Sequence, residues 1–171
     1  SISPGPAPLS EAEFFQKYAQ MWRISDDFWD DWKLLRQQFD YARDWAREVG
    51  KNNSWPDADM LPFGRLRVTS VEGGGAPTKF TSDEQQTVMT LWSILRSPLI
   101  FGGDLPSNDA ATTALITNDE VLEVNQHSSG GHEVNQHRYV DIRLWVANGT
   151  RPGEYYVAVF NLRDNSAAVE Y

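Results

Sequence analysis

Two stretches of the chain place carboxylates among tryptophans. The first is Met21–Trp32, with the sequence MWRISDDFWDDW, and the second is Trp55–Leu61, with the sequence WPDADML. Carboxylates bind hydroxyl groups and move protons, whereas flat aromatic rings cover the apolar face of a pyranose. This combination of residue types predicts a site that handles sugars, and we expect glycoside chemistry there.

The acidic residues follow short segments that read as strands. Met21–Ile24 is an apolar run that predicts a buried strand, with Ser25–Asp27 at its C-terminal end. From Phe28 to Val49, apolar residues recur at steps of three and four, which predicts an amphipathic helix. We expect Asp30 and Asp31 to be solvated acids at the start of that helix, where they complement its dipole.

Further along, helix signals alternate with short apolar runs. Capping-box spacing occurs at Ser10 with Glu13 and again at Ser82 with Gln85. Alternation of strands and helices predicts an α/β fold with a parallel sheet. After about residue 128 the pattern changes to strict alternation of apolar and polar residues, which predicts antiparallel strands. We therefore divide the chain into residues 1–129 and 130–171.

Composition excludes several classes of partner and site. The 171 residues carry a net charge of −9 and no cysteine, so neither a thiolate metal site nor a disulfide framework can form. An acidic protein lacks the basic surface that nucleic acid binding requires. The sequence has no apolar run of about 18 residues, so we expect no membrane span.

The three histidines stand five residues apart. His127 and His137 each end a copy of the segment EVNQH, and His132 lies between them. Five-residue steps suit neither a helical metal site nor one face of a strand. We expect no metal and no cofactor in this chain.

Four ordered motifs resemble glycoside hydrolase family 27, the alpha-galactosidase group. They are MWRISDDFWDDW, WPDADMLPFG, TSDEQQTVMTLWSILRSPLIFGGDL and LITNDEVLEVNQ. The resemblance implies a (β/α)₈ TIM barrel followed by an antiparallel β-sandwich. On that map the chain holds barrel strands five to eight and the beginning of the β-domain. A whole barrel takes roughly 250 residues, so the chain reads as a fragment that lacks the aspartate nucleophile at the end of strand four.

The resemblance also implies roles for individual residues. In the family an arginine precedes the general acid/base by four positions, which corresponds to Arg23 and Asp27 here. Asp59 is similar to a residue that contacts the bound sugar, and Met60 is expected to line the pocket beside it. Arg23 is expected to hold a sugar hydroxyl.

Three further residues are weaker candidates for substrate contact. Ser3 is similar to the position that reads the 2-substituent of the sugar. Trp55 is expected either to stack on a sugar face or to belong to the core. Asp57 is expected either to cap a turn or to support the site from behind.

The resemblance implies a retaining, exo-acting hydrolase of terminal α-linked galactose, with an oligosaccharide or glycoside as substrate. Alternatives within the family are an alpha-N-acetylgalactosaminidase, a β-L-arabinopyranosidase and an isomaltodextranase. A non-catalytic carbohydrate-binding fragment is a separate alternative. The family is also typical of secreted or periplasmic proteins.

Overall fold

The computed structural model describes residues 1–69, 74–134 and 141–163. His137 and part of the alternating pattern after residue 128, including Tyr139 and Val140, lie outside these ranges. The described chain is mixed α/β, as predicted, with five α-helices and three small sheets among these residues. The helices are α1 (Ala12–Tyr18), α2 (Trp32–Trp45), α3 (Ser82–Leu95), α4 (Ala110–Ile116) and α5 (Asp119–His127). The strands are β1 (Met21–Arg23), β2 (Trp55–Asp57), β3 (Arg65–Leu66), β4 (Ala76–Pro77), β5 (Ser129–Glu133), β6 (Ile142–Asn148) and β7 (Tyr155–Asn161).

Parallel pairings join successive segments of the chain. Strands β1 and β2 pair in parallel, with Arg23 opposite Asp57. Ile2 makes a parallel bridge to Trp22 on one side, and Leu61 makes a parallel bridge to Phe101 on the other. The carboxyl ends of the parallel strands β1 and β2 lie at the same edge, where acidic residues follow both strands.

Helices cover one face of this parallel layer. Trp22 is fully buried and packs on Phe15 of α1 and Trp45 of α2, with ring centroids 5.7 and 5.8 Å away. Because side chains alternate along a strand, Met21 and Arg23 face the opposite side. That opposite face carries the candidate site.

Helix α2 is shorter than the apolar pattern predicted. It begins at Trp32 rather than Phe28, because Asp31 is the N-cap and accepts a hydrogen bond from the Lys33 N–H. Phe28 instead packs its ring on Trp92 of α3, with centroids 4.9 Å apart. Its apolar side chain fitted the helical stripe but belongs to the preceding loop.

Of the two predicted capping boxes, the one before α1 is absent and the one before α3 is shifted by one residue. No side-chain cap precedes α1, so the predicted pairing of Ser10 with Glu13 is wrong. Helix α3 has a capping box one residue earlier than predicted, formed by Thr81 and Glu84.

The antiparallel strands β5, β6 and β7 form one sheet in that order. Trp145 of β6 and Phe160 of β7 are buried in the same hydrophobic cluster as Phe39 of α2. Phe39 and Phe160 meet edge to face, with ring centroids 4.9 Å apart. The sheet thus packs directly on the helices, and the division near residue 130 stays a prediction.

A buried ion pair fastens the loop after β1 to the segment that contains β3. The side chain of Asp30 is only 1% exposed, and its Oδ1 lies 2.7 Å from Nη2 of Arg67. Its Oδ2 accepts a hydrogen bond from the Lys79 N–H at 2.7 Å. The expectation that Asp30 is solvated is wrong, because a cation and a backbone donor from distant parts of the chain enclose it.

These contacts decide the ionisation of Asp30. Burial by itself would raise the pKa of this carboxyl, but the hydrogen bonds from Arg67 and from the Lys79 backbone, with the Arg67 charge, lower the pKa below its ordinary value. A carboxyl whose pKa is lowered by folding stabilises the folded state at pH values above the pKa that it has in the unfolded chain. That stabilisation is lost as the pH falls through the lowered value.

Replacement of Asp30 by Asn should lower the free energy of unfolding by about 1–3 kcal/mol near neutral pH, because Arg67 loses its charged partner. The deficit should shrink in strongly acidic solution, where the native carboxyl is protonated as well. Urea unfolding of the wild type and Asp30→Asn, from strongly acidic to neutral pH, measures this difference in the free energy of unfolding. The control is Asp31→Asn, which changes the same charge but keeps an equally good helix cap. Equal deficits in the two variants, or a deficit that ignores pH, would contradict the assignment.

Candidate functional site

The guanidinium of Arg23 joins two of the predicted site carboxylates. Its Nη2 lies 2.9 Å from Oδ2 of Asp59 and 3.2 Å from Oδ1 of Asp27. The Arg23 side chain is 13% exposed, and its Nε is buried without a hydrogen-bond partner among the described residues. The strand β1 therefore presents a fixed cation between the two acids.

Asp27 is the accessible member of this group. Its side chain is 82% exposed, whereas that of Asp59 is 15% exposed. The next residue, Phe28, is buried in the core. The buried Phe28 ring anchors this segment in the core, while the Asp27 carboxyl next to it is accessible from solvent.

Asp59 is held by its backbone as well as by its carboxylate. Its Oδ2 accepts a hydrogen bond from the Phe28 N–H at 2.6 Å, and its carbonyl accepts one from Trp92 Nε1 at 2.8 Å. Its φ of 78° lies in the left-handed region, which costs free energy for a residue other than glycine. The contacts on both sides keep this conformation in place.

Asp57 lies behind Asp59 and is 2% exposed. Its Oδ1 accepts a hydrogen bond from the Asp59 N–H at 2.9 Å. Burial raises the pKa of Asp57, against the lowering effect of that hydrogen bond, and the nearby Asp59 charge raises it further. This hydrogen bond closes a local turn between Asp57 and Asp59. Whether Asp57 only caps that turn or also supports the site stays a prediction.

The other predicted residues lie at different distances from the carboxylates. Trp55 is level with Met21, two residues before the row of Arg23 and Asp57, so it is not brought into the carboxylate cluster. Ser3 is exposed and follows Ile2, which bridges to Trp22. By that register Ser3 falls beside Arg23 at the edge of the layer.

Met60 packs against a glycine of the neighbouring segment. A Cβ added to Gly102 would lie 2.4 Å from Sδ of Met60, so the absence of a side chain at this position makes room for the methionine. Gly102 donates its N–H to the Leu61 carbonyl at 2.9 Å. Met60 is thereby fixed next to Asp59 at the end of the parallel layer.

The sequence did not predict the hydrogen bonds that connect the loop before Asp27 to helix α2. Gln38 of α2 is 3% exposed and donates from Nε2 to Oγ of Ser25 at 2.7 Å. Ser25 donates in turn to the Asp26 carbonyl at 2.9 Å. The only signal in the sequence was the polar residue Gln38 beside the apolar stripe of α2. The pattern does not indicate that its partner is Ser25.

The histidines that the structure describes have local partners. His127 Nδ1 lies 2.9 Å from Oε2 of Glu123, and His132 Nδ1 lies 2.8 Å from the Gly130 carbonyl. Within residues 1–69, 74–134 and 141–163, no three His, Asp or Glu side chains are arranged to hold a metal ion. None of the helices in these ranges has the length and apolar character needed to cross a membrane.

Comparison with known proteins relates the chain to one enzyme family. The family model described as alpha galactosidase A matches residues 6–127. Alpha-galactosidase 2 of Arabidopsis thaliana is 32% identical over 125 residues, which cover 73% of this chain and 28% of that protein. Alpha-galactosidase D of Emericella nidulans is 30% identical over 149 residues, which cover 86% of this chain and 21% of that protein.

A solved structure gives a higher identity. The family 27 β-L-arabinopyranosidase from Geobacillus stearothermophilus, in complex with arabinose, is 48% identical with a TM-score of 0.85, and the match covers 93% of this chain and 37% of that one. The chain spans well under half the length of each of these relatives. Because the family model matches most of its residues, the chain belongs to glycoside hydrolase family 27, the alpha-galactosidase family.

Proposed function

We propose that this chain is part of a retaining, exo-acting glycoside hydrolase that removes terminal α-linked galactose, with Asp27 as the general acid/base. The observation that carries the proposal is the contact of one Arg23 nitrogen with both Asp27 and Asp59, in a chain of family 27. In such an enzyme a carboxylic acid protonates the leaving oxygen and later activates water. The Asp27 side chain is 82% exposed, so the leaving oxygen of a substrate can reach its carboxyl.

The neighbouring residues have supporting roles in this proposal. Arg23 and Asp59 bind hydroxyl groups of the sugar, since a guanidinium supplies donors in fixed directions and a carboxylate accepts from hydroxyls. Met60 lines the pocket, and Asp57 positions Asp59. Trp55 and Ser3 are proposed as more peripheral contacts, with Ser3 next to the 2-substituent.

We further propose that the parallel segments are strands five to eight of a (β/α)₈ barrel, with the antiparallel β-domain beginning near residue 130. Barrel enzymes place their sites at the carboxyl ends of the strands, and Arg23, Asp27 and Asp59 lie at such ends. A retaining mechanism also needs an attacking carboxylate about 5–5.5 Å from the acid/base. In this proposal it comes from a residue outside this chain.

A β-L-arabinopyranosidase is the second candidate function. It is supported by the 48% identity to the Geobacillus enzyme, against 32% and 30% to the alpha-galactosidases. A β-L-arabinopyranoside has the ring configuration of an α-D-galactoside but lacks the hydroxymethyl group at C5. Both substrates can therefore use the same acid/base. Only the part of the pocket that faces C5 distinguishes them.

Substitution of Asp27 by Ala in the full-length protein that carries this chain should lower kcat/KM by about 10²–10⁴-fold on glycosides with poor leaving groups. Activated aryl glycosides should lose far less, because their leaving oxygen needs little protonation. The experiment measures kcat/KM for a series of aryl α-galactosides whose leaving groups differ in pKa.

The neighbouring Asp26→Asn variant is the control for the Asp27 series. Asp26 is also exposed, and we expect its substitution to leave the dependence on leaving group unchanged. Equal activity of wild type and Asp27→Ala would show that another residue is the acid. Galactose binding without turnover by the wild type would favour the non-catalytic alternative.

The ratio of kcat/KM for an aryl α-D-galactoside to that for the matching β-L-arabinopyranoside separates the two candidate functions. One small substituent in a pocket is worth about 10–200-fold in specificity. The galactosidase proposal predicts a ratio of at least about 10 in favour of the galactoside. A ratio reversed by a similar factor would assign the arabinopyranosidase function instead.

A further inference from the structure

The loop after β1 carries a partly exposed tryptophan, Trp29, two residues beyond Asp27. Burial alternates from Asp27 to Asp30: Asp27 is exposed, Phe28 is buried, Trp29 is partly exposed and Asp30 is buried. Two residues of extended chain span at most about 7 Å. The Cα atoms of Trp29 and Asp27 therefore lie within about 7 Å of each other.

Contacts from a distant segment fix the position of this indole. The guanidinium carbon of Arg67 lies 4.1 Å from the centroid of the Trp29 ring, within the range of a cation–π contact. The same guanidinium pairs with the buried Asp30 at 2.7 Å. Arg67 thus connects the ring to an anchored carboxylate one residue further along the loop.

The backbone of Arg67 is itself in a restricted conformation. Its φ of 54° lies in the left-handed region, which is unfavourable for a residue with a side chain. Residues held in such conformations persist only where the surroundings over-determine them. Here the Asp30 ion pair and the Trp29 ring are contacts that surround Arg67 and hold its guanidinium against the indole.

The place of this ring determines which part of a substrate it meets. A general acid gives its proton to the leaving oxygen, so the leaving group passes next to Asp27. An aromatic face packs against the apolar face of a sugar ring. We propose, on the basis of the function proposed above, that Trp29, positioned by Arg67 and Asp30, is the platform that binds the leaving-group sugar.

The experiment compares two substrates in the full-length protein. A galactosyl disaccharide has a sugar as leaving group, whereas α-galactosyl fluoride has none that can stack. Trp29→Ala should lower kcat/KM for the disaccharide by about tenfold, mainly through KM, and change that for the fluoride by less than about twofold. Trp29→Phe keeps a flat ring and should restore most of the disaccharide activity.

The fluoride assay also reports whether each variant has folded and kept its acid-independent chemistry. Equal losses of Trp29→Ala on both substrates, or no rescue by Trp29→Phe, would overturn the platform while wild-type turnover leaves the proposed function intact. If the wild type turns over neither the disaccharide nor the fluoride, both the platform and the proposed function are overturned. A selective disaccharide defect with rescue by phenylalanine supports the platform.

Discussion

The geometry of the site depends on Asp59, which ties three elements together. Its carboxylate contacts Arg23 of β1 and the backbone of Phe28, its N–H bonds to Asp57 of β2, and its carbonyl accepts from Trp92 of α3. Because the residue has a positive φ, these contacts must offset backbone strain. The exposed Asp27 owes its position to this frame, since Phe28 is both bonded to Asp59 and buried against Trp92.

Local sequence patterns predicted the elements around the site well. The apolar run at Met21–Ile24 became β1, and the acids at its end face the open edge, because a short buried strand followed by polar residues has few other arrangements. The resemblance to family 27 singled out Arg23 and Asp27 by their spacing of four residues, and the structure adds an ion pair between them that the sequence did not predict. The roles of both residues stay predictions.

Contacts between distant residues explain what the sequence did not predict. Phe28 fitted the helical stripe of α2, yet its N–H is bonded to Asp59, 31 positions away. Asp30 looked like a solvated acid, but its partner Arg67 is 37 positions away. A pattern within one segment carries no information about such partners. The local pattern therefore matches α2 only from its N-cap Asp31 to Trp45, because Ala46–Glu48 forms a 3₁₀ helix and Val49 is extended.

The central claim is that Asp27 gives and takes the proton in a retaining hydrolase. Azide rescue of Asp27→Gly in the full-length protein tests it most directly, because a small anion attacks the glycosyl-enzyme without general base help. The account predicts that azide restores turnover of an activated α-galactoside and yields the α-configured galactosyl azide. A β-configured azide would make Asp27 the nucleophile, and the absence of any rescue would contradict its role as acid/base.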